Sequence, residues 1–529
     1  MSINEAINKA IQIAQSGNFD EAREEFMSLL KSYPESYLVL SAAGLFYVNI
    51  GDFNSASLYL NKACEIKETF GTVSALGFCE YEKKEFKNSA VILERALSLG
   101  ENVEIYNKLI LSLLKIRAFS KAYEYALKMY EKYPKNKYSV INLVKSGIQI
   151  GNLVESEKIC VEFLKDNSEI SELWIQLGFL KELIYSDDVQ ALQCFKVALD
   201  LGCFEANYNI AVSYQKMRDF SKAEVYYKKM LEYFPHDEDS IVSLGMLYLL
   251  QKKFNEGYEL FSKRTSFVTE KAKNLWTKGQ KFCDDLVVLC EQGFGDHIQF
   301  IRYIPLIRNL VKTLQVVVPE CLLRLFQMNY PDIEFITFDK FDNKKQTLRI
   351  TDLAYALDMD FDNIPFSAGY LASDKGDVAS DKLKIGLCWE AGSAGIRTMI
   401  NRTMHINNFE PIFNLENIQT YSFQVNDSFD GCNNFPKMIN LAKDFNDFSD
   451  TAKALKAMDL VVTVDTSVAH LAGALGVKTF LLLPYSSDWR WFDDTKTTPW
   501  YDSVEIFKQP NPLDWQTPIN QIVEKIKNI

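Results

Sequence analysis

Gly51-Asp52-Phe53-Asn54-Ser55-Ala56 decides the first half of the fold. A glycine and an acid make a tight turn, an aromatic opens a helix, and a small residue follows within one turn. The same grammar appears upstream at Gly17-Asn18-Phe19 with Ala22. Downstream it recurs at Phe86 with Ser89, Phe119 with Ala122, and Leu153 with Ser156. Val189 with Ala191 is a looser match, followed by Phe220 with Ala223 and Phe254 with Gly257. The small residues step by 34, 33, 33, 34, 35, 32 and 34 positions. A fixed period of this length marks stacked helix pairs. The small residue lets two helices approach closely and the aromatic fills the space beside it. Pro34, Pro134 and Pro235 close the second helix of their repeats.

Gly44 with Tyr47, Gly77 with Tyr81, Trp174 with Gly178 and Gly245 with Tyr248 fall on the first helix of their units. Residues 1–265 therefore resemble the tetratricopeptide repeat, in about eight helix pairs. Such arrays usually present a groove to a segment of another protein, and they also serve as plain structural props.

The period stops after Phe261, and residues 266–284 read as a polar connector. Leu286–Glu291, Leu314–Pro319 and Glu334–Phe338 then read as strands, with helices expected at Asp296–Leu310 and Glu320–Met328. A second series holds strands at Leu383–Trp389, Thr420–Gln424, Leu460–Val464 and Lys478–Leu483. Helices are expected near Thr451–Met458 and from Val468. Strand–helix alternation at these lengths means parallel α/β sheets. Asp374–Asp381, polar with Gly376, reads as a hinge between the series. The domains are thus 1–265, 266–284, 285–378 and 379–529, with a cleft between two α/β halves.

Composition limits the partners. The 529 residues carry 58 Lys and Arg against 70 Asp and Glu, a net charge of −12, which argues against bulk nucleic-acid binding. The N-terminal MSINEAINKA lacks the basic-then-apolar run of a signal peptide, and no apolar run is long enough to span a bilayer. A cytoplasmic location is the expectation. The 10 cysteines form no Cys-x-x-Cys pair and read as reduced, mostly buried thiols.

Three loops hold candidate chemistry. In the first, Glu291 to Gln299, Gly293 and Gly295 turn the chain from strand to helix and Asp296 follows, with His297 and Gln299 behind it. Helix-start N–H groups attract anions, but Asp296 equally suits a helix cap. In the second, Asp465, Thr466 and Ser467 place a carboxylate and two hydroxyls at a helix start, and His470 comes one turn later. That set suits a diphosphate and a sugar; a buried core histidine is the competing reading of His470. The third runs from Trp389 through Gly392 and Arg397 to Arg402 and His405. It is either a basic clamp or a solvated loop. Three of the four histidines, His297, His405 and His470, fall in these loops. Trp489 and its neighbours, with Arg490 among them, either stack a base or sugar or pack the halves together. Asp358-Met359-Asp360 has the form of a metal motif, though two loop acids are commonly just solvated.

Glu291–Ile307, Asp459–Gly476 and Leu481–Tyr501 together resemble the ADP-heptose:lipopolysaccharide heptosyltransferase-like GT-B family across about residues 285–525. With the repeats ahead of it, the chain resembles bacterial tetratricopeptide-repeat glycosyltransferases. Some of those relatives O-glycosylate flagellin or other proteins, and the architecture parallels the protein O-GlcNAc transferases. The resemblance implies an all-α repeat solenoid followed by a GT-B fold of two Rossmann-like halves. It implies an inverting, metal-independent glycosyltransferase with a nucleotide-sugar donor and no cofactor. It makes Asp296 the general base. It assigns the donor to Gly293, Gly295, His297, Gln299, Trp389, Arg397, Arg402, Asp465, Thr466, Ser467, His470 and Trp489. The implied acceptor is a protein hydroxyl recruited by the repeats. The alternatives are a transferase acting on lipopolysaccharide or another glycan, and a non-catalytic scaffold with a degenerate GT-B region. The sugar, the acceptor and the oligomeric state, a homo-oligomer included, stay open at this point.

Overall fold

The computed structural model describes residues 2–265, 271–392, 402–425, 435, 437–493 and 495–529. The chain forms two compact units, Met1–Cys203 and Phe204–Ile529.

Among its described residues the first unit is twelve α-helices, from Ile3–Gln15 to Asp188–Asp200. They alternate as the period requires, for example Tyr37–Asn49 then Phe53–Ile66. Each pair turns on one residue with left-handed backbone: Gly17, Gly51, Lys84, Arg117, Gly151 and Ser186. Each of these lies five residues before the small residue of its repeat. Across each turn the next N–H reaches back into the first helix, as in Asp52 N to Tyr47 O at 3.0 Å and Glu85 N to Glu80 O at 2.9 Å. This is the Schellman closure, which satisfies an otherwise orphaned carbonyl. The turns at Lys84 and Arg117 adopt it without glycine, and Ser186 is also left-handed, at a conformational cost of about 1 kcal/mol each.

The small residues do what the spacing requires. A Cβ on Gly44 would fall 2.6 Å from Leu60, and one on Gly178 would fall 2.4 Å from Phe195. Ala22, Ala56, Ala122 and Ala191 are fully buried. The helices beginning at Phe19 and Phe119 end two residues before Pro34 and Pro134.

The second unit opens with four more repeat helices, Ala206–Lys216, Phe220–Tyr233, Glu238–Leu250 and Phe254–Phe261. Arg218 and Lys252 hold their left-handed turns. Then come two sheets. The first has order β3-β2-β1-β4, with β1 Asp285–Leu289, β2 Thr313–Val317, β3 Glu334–Ile336 and β4 Gln346–Arg349, all parallel. The second comprises β5 Leu383–Cys388, β6 Ile418–Ser422, β7 Ile439–Asn440, β8 Leu460–Val464, β9 Thr479–Leu483, β10 Thr497–Thr498 and β11 Tyr501–Lys508. Its order is β10-β11-β9-β8-β5-β6-β7, parallel except for the β10–β11 pair. Every residue of β8 and β9 is buried, which is why both read as unbroken apolar runs.

Several details differ from the sequence expectation. The helix expected over Asp296–Leu310 is Phe294–Phe300, a 3₁₀ turn at Ile301–Tyr303, and Ile304–Arg308. Pro305 has no N–H to continue the earlier ladder. Part of the connector is ordered against the first sheet: Trp276 N donates to Thr347 O at 2.7 Å and Thr347 N to Asn274 O at 2.8 Å.

The packing changes partners before the repeats end. Phe254, Tyr258 and Phe261 share one apolar core with Trp489, Phe492 and Trp500. Tyr258 and Phe261 meet the Trp489 ring at 6.1 and 5.9 Å. Arg218 donates twice to Asp493, at 3.0 and 2.7 Å. The last two repeat pairs are therefore built into the same unit as the sheets.

Candidate ligand-binding cleft

Parallel strands discharge their loops at one edge, and ligands gather where neighbouring connections diverge. In the second sheet that point lies between β5 and β8, since β6 and β7 continue to one side and β9 and β11 to the other. The residues after β1, β5, β8 and β9 line one cleft of about 810 Å³. That volume suits a nucleotide-sized ligand.

The loop after β1 brings Gly293, Gly295 and Asp296 to the cleft. Gly293 caps the helix and Asp296 sits in its first turn, accepting the Gly293 N–H at 3.2 Å through Oδ2. Its Oδ1 accepts from the Arg490 guanidinium. Both side chains are nearly buried, at 14% and 13% exposure. Gly295 has a packing role: a Cβ there would lie 2.8 Å from His470 Cδ2.

The loop after β8 brings Asp465, Thr466, Ser467 and His470. Thr466 caps the Ser467–Ala474 helix, and its hydroxyl turns back to Thr463 Oγ1 at 3.2 Å. Ser467 and Val468, the first two residues of that helix, line the cleft, and a helix start leaves such N–H groups without intrahelical acceptors. Asp465 pairs with Arg402 at 3.3 Å. Burial raises the Asp465 pKa against the pull of Arg402, and the charge of Asp488 adds to the rise. Asp488 moves the other way: burial opposes its ionisation, but Arg490 and Arg402 prevail and lower it.

His470 is buried, stacks on Trp491 at 4.9 Å and shares a hydrogen bond with the Tyr501 hydroxyl at 3.0 Å. Burial, reinforced by Arg490, lowers its pKa to about 3, so the ring is neutral. It is both the core histidine and a wall of the cleft.

Several expected residues lie elsewhere. His297 and Gln299 are buried, and the His297 ring lies edge-on to Phe294 at 6.3 Å. Burial lowers His297 to about 4. The helix starts at Phe294, two residues earlier than expected. Trp389 is buried in the core beside β5, with Leu387 and Met404. Trp489 is buried against Tyr258, Phe261 and Phe300. His405 caps a short turn through Asn407 N at 3.2 Å. Arg397 lies outside the described residues. Asp358 pairs with Lys278, and Asp360 caps a 3₁₀ turn. Among the described residues no three His, Cys, Asp or Glu side chains form a metal cluster.

Arg490 and Asp488 enter the cleft where Trp489 was expected. In the sequence they sit amid aromatics, and only the buried carboxylates of Asp296 and Asp465 called for a second cation. Met246 and Phe261, from the two helices of the last repeat, also line the cleft.

Tetratricopeptide-repeat models match residues 10–36, 39–70 and 204–237. The helix pairs are tetratricopeptide repeats. Relatives include Protein FlbA of Caulobacter vibrioides, 23% identical over 323 residues, which are 52% of this chain and 53% of that protein. The Phagocyte signaling-impaired protein of Drosophila pseudoobscura pseudoobscura is 27% identical over 138 residues, 25% of this chain and 14% of its own. The chain thus spans about half or less of these curated relatives. A solved tetratricopeptide repeat protein from Parabacteroides merdae matches 46% of this chain and 98% of its own, at 15% identity and a TM-score of 0.41. Among the described residues no helix is long and apolar enough to cross a membrane.

Proposed function

We propose that this tetratricopeptide-repeat protein is an inverting, GT-B-type glycosyltransferase. It takes a sugar from a nucleotide-sugar and places it on a hydroxyl of a protein acceptor gathered by the repeats. One observation carries the reading: Asp296, from the first sheet, faces Arg402, Asp465, Ser467 and Arg490, from the second, in one cleft.

A diphosphate at the first turn of the Ser467–Ala474 helix would meet free N–H groups and the favourable end of the dipole. Arg402 and Arg490 supply charge-assisted donors to it. Asp296 accepts the acceptor's proton as its oxygen attacks the anomeric carbon. The bond from that carbon to the phosphate oxygen breaks on the opposite face, and the nucleoside diphosphate leaves with the electron pair.

The Arg490–Asp296 pair gives this chemistry an order. An incoming diphosphate competes for Arg490 and relieves Asp296 of its partner. The carboxylate then becomes available to the acceptor when the donor is in place.

A thermal-shift screen against ADP-, UDP-, GDP- and CMP-linked sugars tests the donor site. One nucleotide class should stabilise the protein, since binding to the native state raises apparent stability. Arg402→Ala should remove the shift. A flat response to all four overturns the donor reading and favours the scaffold. Asp296→Ala should keep donor binding and lose roughly 10²- to 10⁴-fold in turnover. Intact masses of co-expressed acceptors separate protein from glycan modification.

A further inference from the structure

The last repeat helix, Phe254–Phe261, has 8 residues where the second helices of earlier repeats have 12 to 14. The chain just beyond it is captured by the first sheet. Arg349, at the end of β4, donates to Arg264 O at 2.6 Å and to Ser262 O. Arg264 then turns inward. It donates to Phe261 O at 2.7 Å, Asp352 Oδ1 at 2.8 Å and Glu291 Oε1 at 2.8 Å, and it also meets the Thr351 hydroxyl. Arg349 Nε completes the cluster on Asp352 Oδ2 at 2.7 Å.

Two guanidinium groups and two carboxylates are buried together, and their charges balance. Glu291 is the member that matters to the cleft. Its side chain is fully buried, and it stands two residues before Gly293. Thr351 Oγ1, at 2.7 Å, shares Oε1 with Arg264, while Oε2 has no partner among the described residues. Removing Arg264 leaves a buried carboxylate held by one hydroxyl, and an under-paired buried charge draws chain or water toward itself. The chain that continues directly from Glu291 is the Gln292–Asp296 loop.

We propose that Arg264 is a positioning residue for that loop, acting through Glu291, so that the final repeat sets the placement of Asp296. The geometry stands whatever ligand the cleft takes; only the role of Asp296 as the reacting carboxylate rests on the glycosyltransferase reading.

The test is hydrogen exchange by mass spectrometry on the full chain, which needs no substrate. Arg264→Met should speed exchange in peptides covering Cys290–Phe300 by about 10-fold. Arg264→Lys, which retains one charge, should restore part of the protection. Arg218→Met is the control, since it breaks another repeat-to-sheet ion pair in the same unit, on Asp493. It should leave the loop unchanged. Glu291→Gln, isosteric and neutral, should loosen the loop as Arg264→Met does, and it decides the matter if Arg264→Met does not fold. Unchanged loop exchange in either folded variant overturns the proposal. So does an equal acceleration in Arg218→Met, which would mean general loosening. Loop loosening in a protein that binds no nucleotide-sugar would keep this proposal and remove the glycosyltransferase reading.

Discussion

Arg490, beyond β9 of the second sheet, closes an ion pair on Asp296 in the glycine loop of the first. The same guanidinium holds Asp488 at 2.7 Å. One cation thus pairs with two largely buried carboxylates, and its bond to Asp296 ties the two sheets together across the cleft. Arg490→Ala should destabilise the protein by about 3 kcal/mol, because it strands both acids. Asp296→Ala with Arg490→Ala should cost less than the sum of the singles, since one stranded charge is gone. Urea unfolding of the two singles and the double measures the coupling. Strict additivity would show that the pair carries no interaction energy.

Two buried histidines set the acid limb of stability. His297 and His470 are lowered to about 4 and about 3 by burial. Below pH 6.5 the unfolded chain takes up protons that the folded chain refuses, so their contribution is complete above that pH and is lost on acidification toward 4 and 3. The slope reaches about 1.4 kcal/mol per pH unit for each histidine. His470→Gln should flatten the fall between pH 6 and 4, read as unfolding midpoints across pH. An unchanged profile would place the titrating groups elsewhere.

Where the chain is cut should matter more than how much is removed. Removing residues 1–203 leaves a unit with its own core, which should stay folded and keep any donor affinity. Removing residues 1–265 strips Phe254, Tyr258, Phe261 and Arg264 from buried positions against the sheets. Each large apolar side chain contributes about 2 kcal/mol of burial, so that fragment should aggregate or fail to fold. Soluble yield and circular dichroism of the two fragments decide it.

The repeat unit offers a local contrast. A Cβ at Gly77 would fall 2.5 Å from Leu93 Cδ2 in a closed core, so Gly77→Ala should cost about 1–3 kcal/mol. Lys84 sits in a left-handed turn at φ 64°, so Lys84→Gly should be neutral or stabilise by up to about 1 kcal/mol. Unfolding free energies of the two variants, taken from denaturant titrations, should differ by at least about 1 kcal/mol.

Much of this was legible in the residues themselves. The 34-residue step of small residues yielded the helix pairs, because close helix packing leaves its mark on composition at a fixed interval. The apolar runs of β1, β2, β5, β8 and β9 were equally plain, and β8 and β9, buried at every residue, are apolar nearly throughout because both faces are covered. β11 was not recognised from sequence: Asp502 and Glu505 interrupt its apolar positions, and its pairing with β9 is a long-range fact. Asp296, Arg402, Asp465, Ser467 and His470 line one cleft, because a loop at the end of a parallel strand has one edge to occupy.

Sequence alone therefore determined the repeat grammar, the strand–helix series and the loops that line the cleft. All of these depend on local spacing, where neighbours in the chain are neighbours in space. Tertiary structure decided the rest. It turned Arg490 rather than Trp489 into the cleft, sent His297 into the core and joined the last two repeat pairs to the sheets. Those outcomes depend on which distant charge or aromatic surface each side chain meets, and no local pattern records that partner.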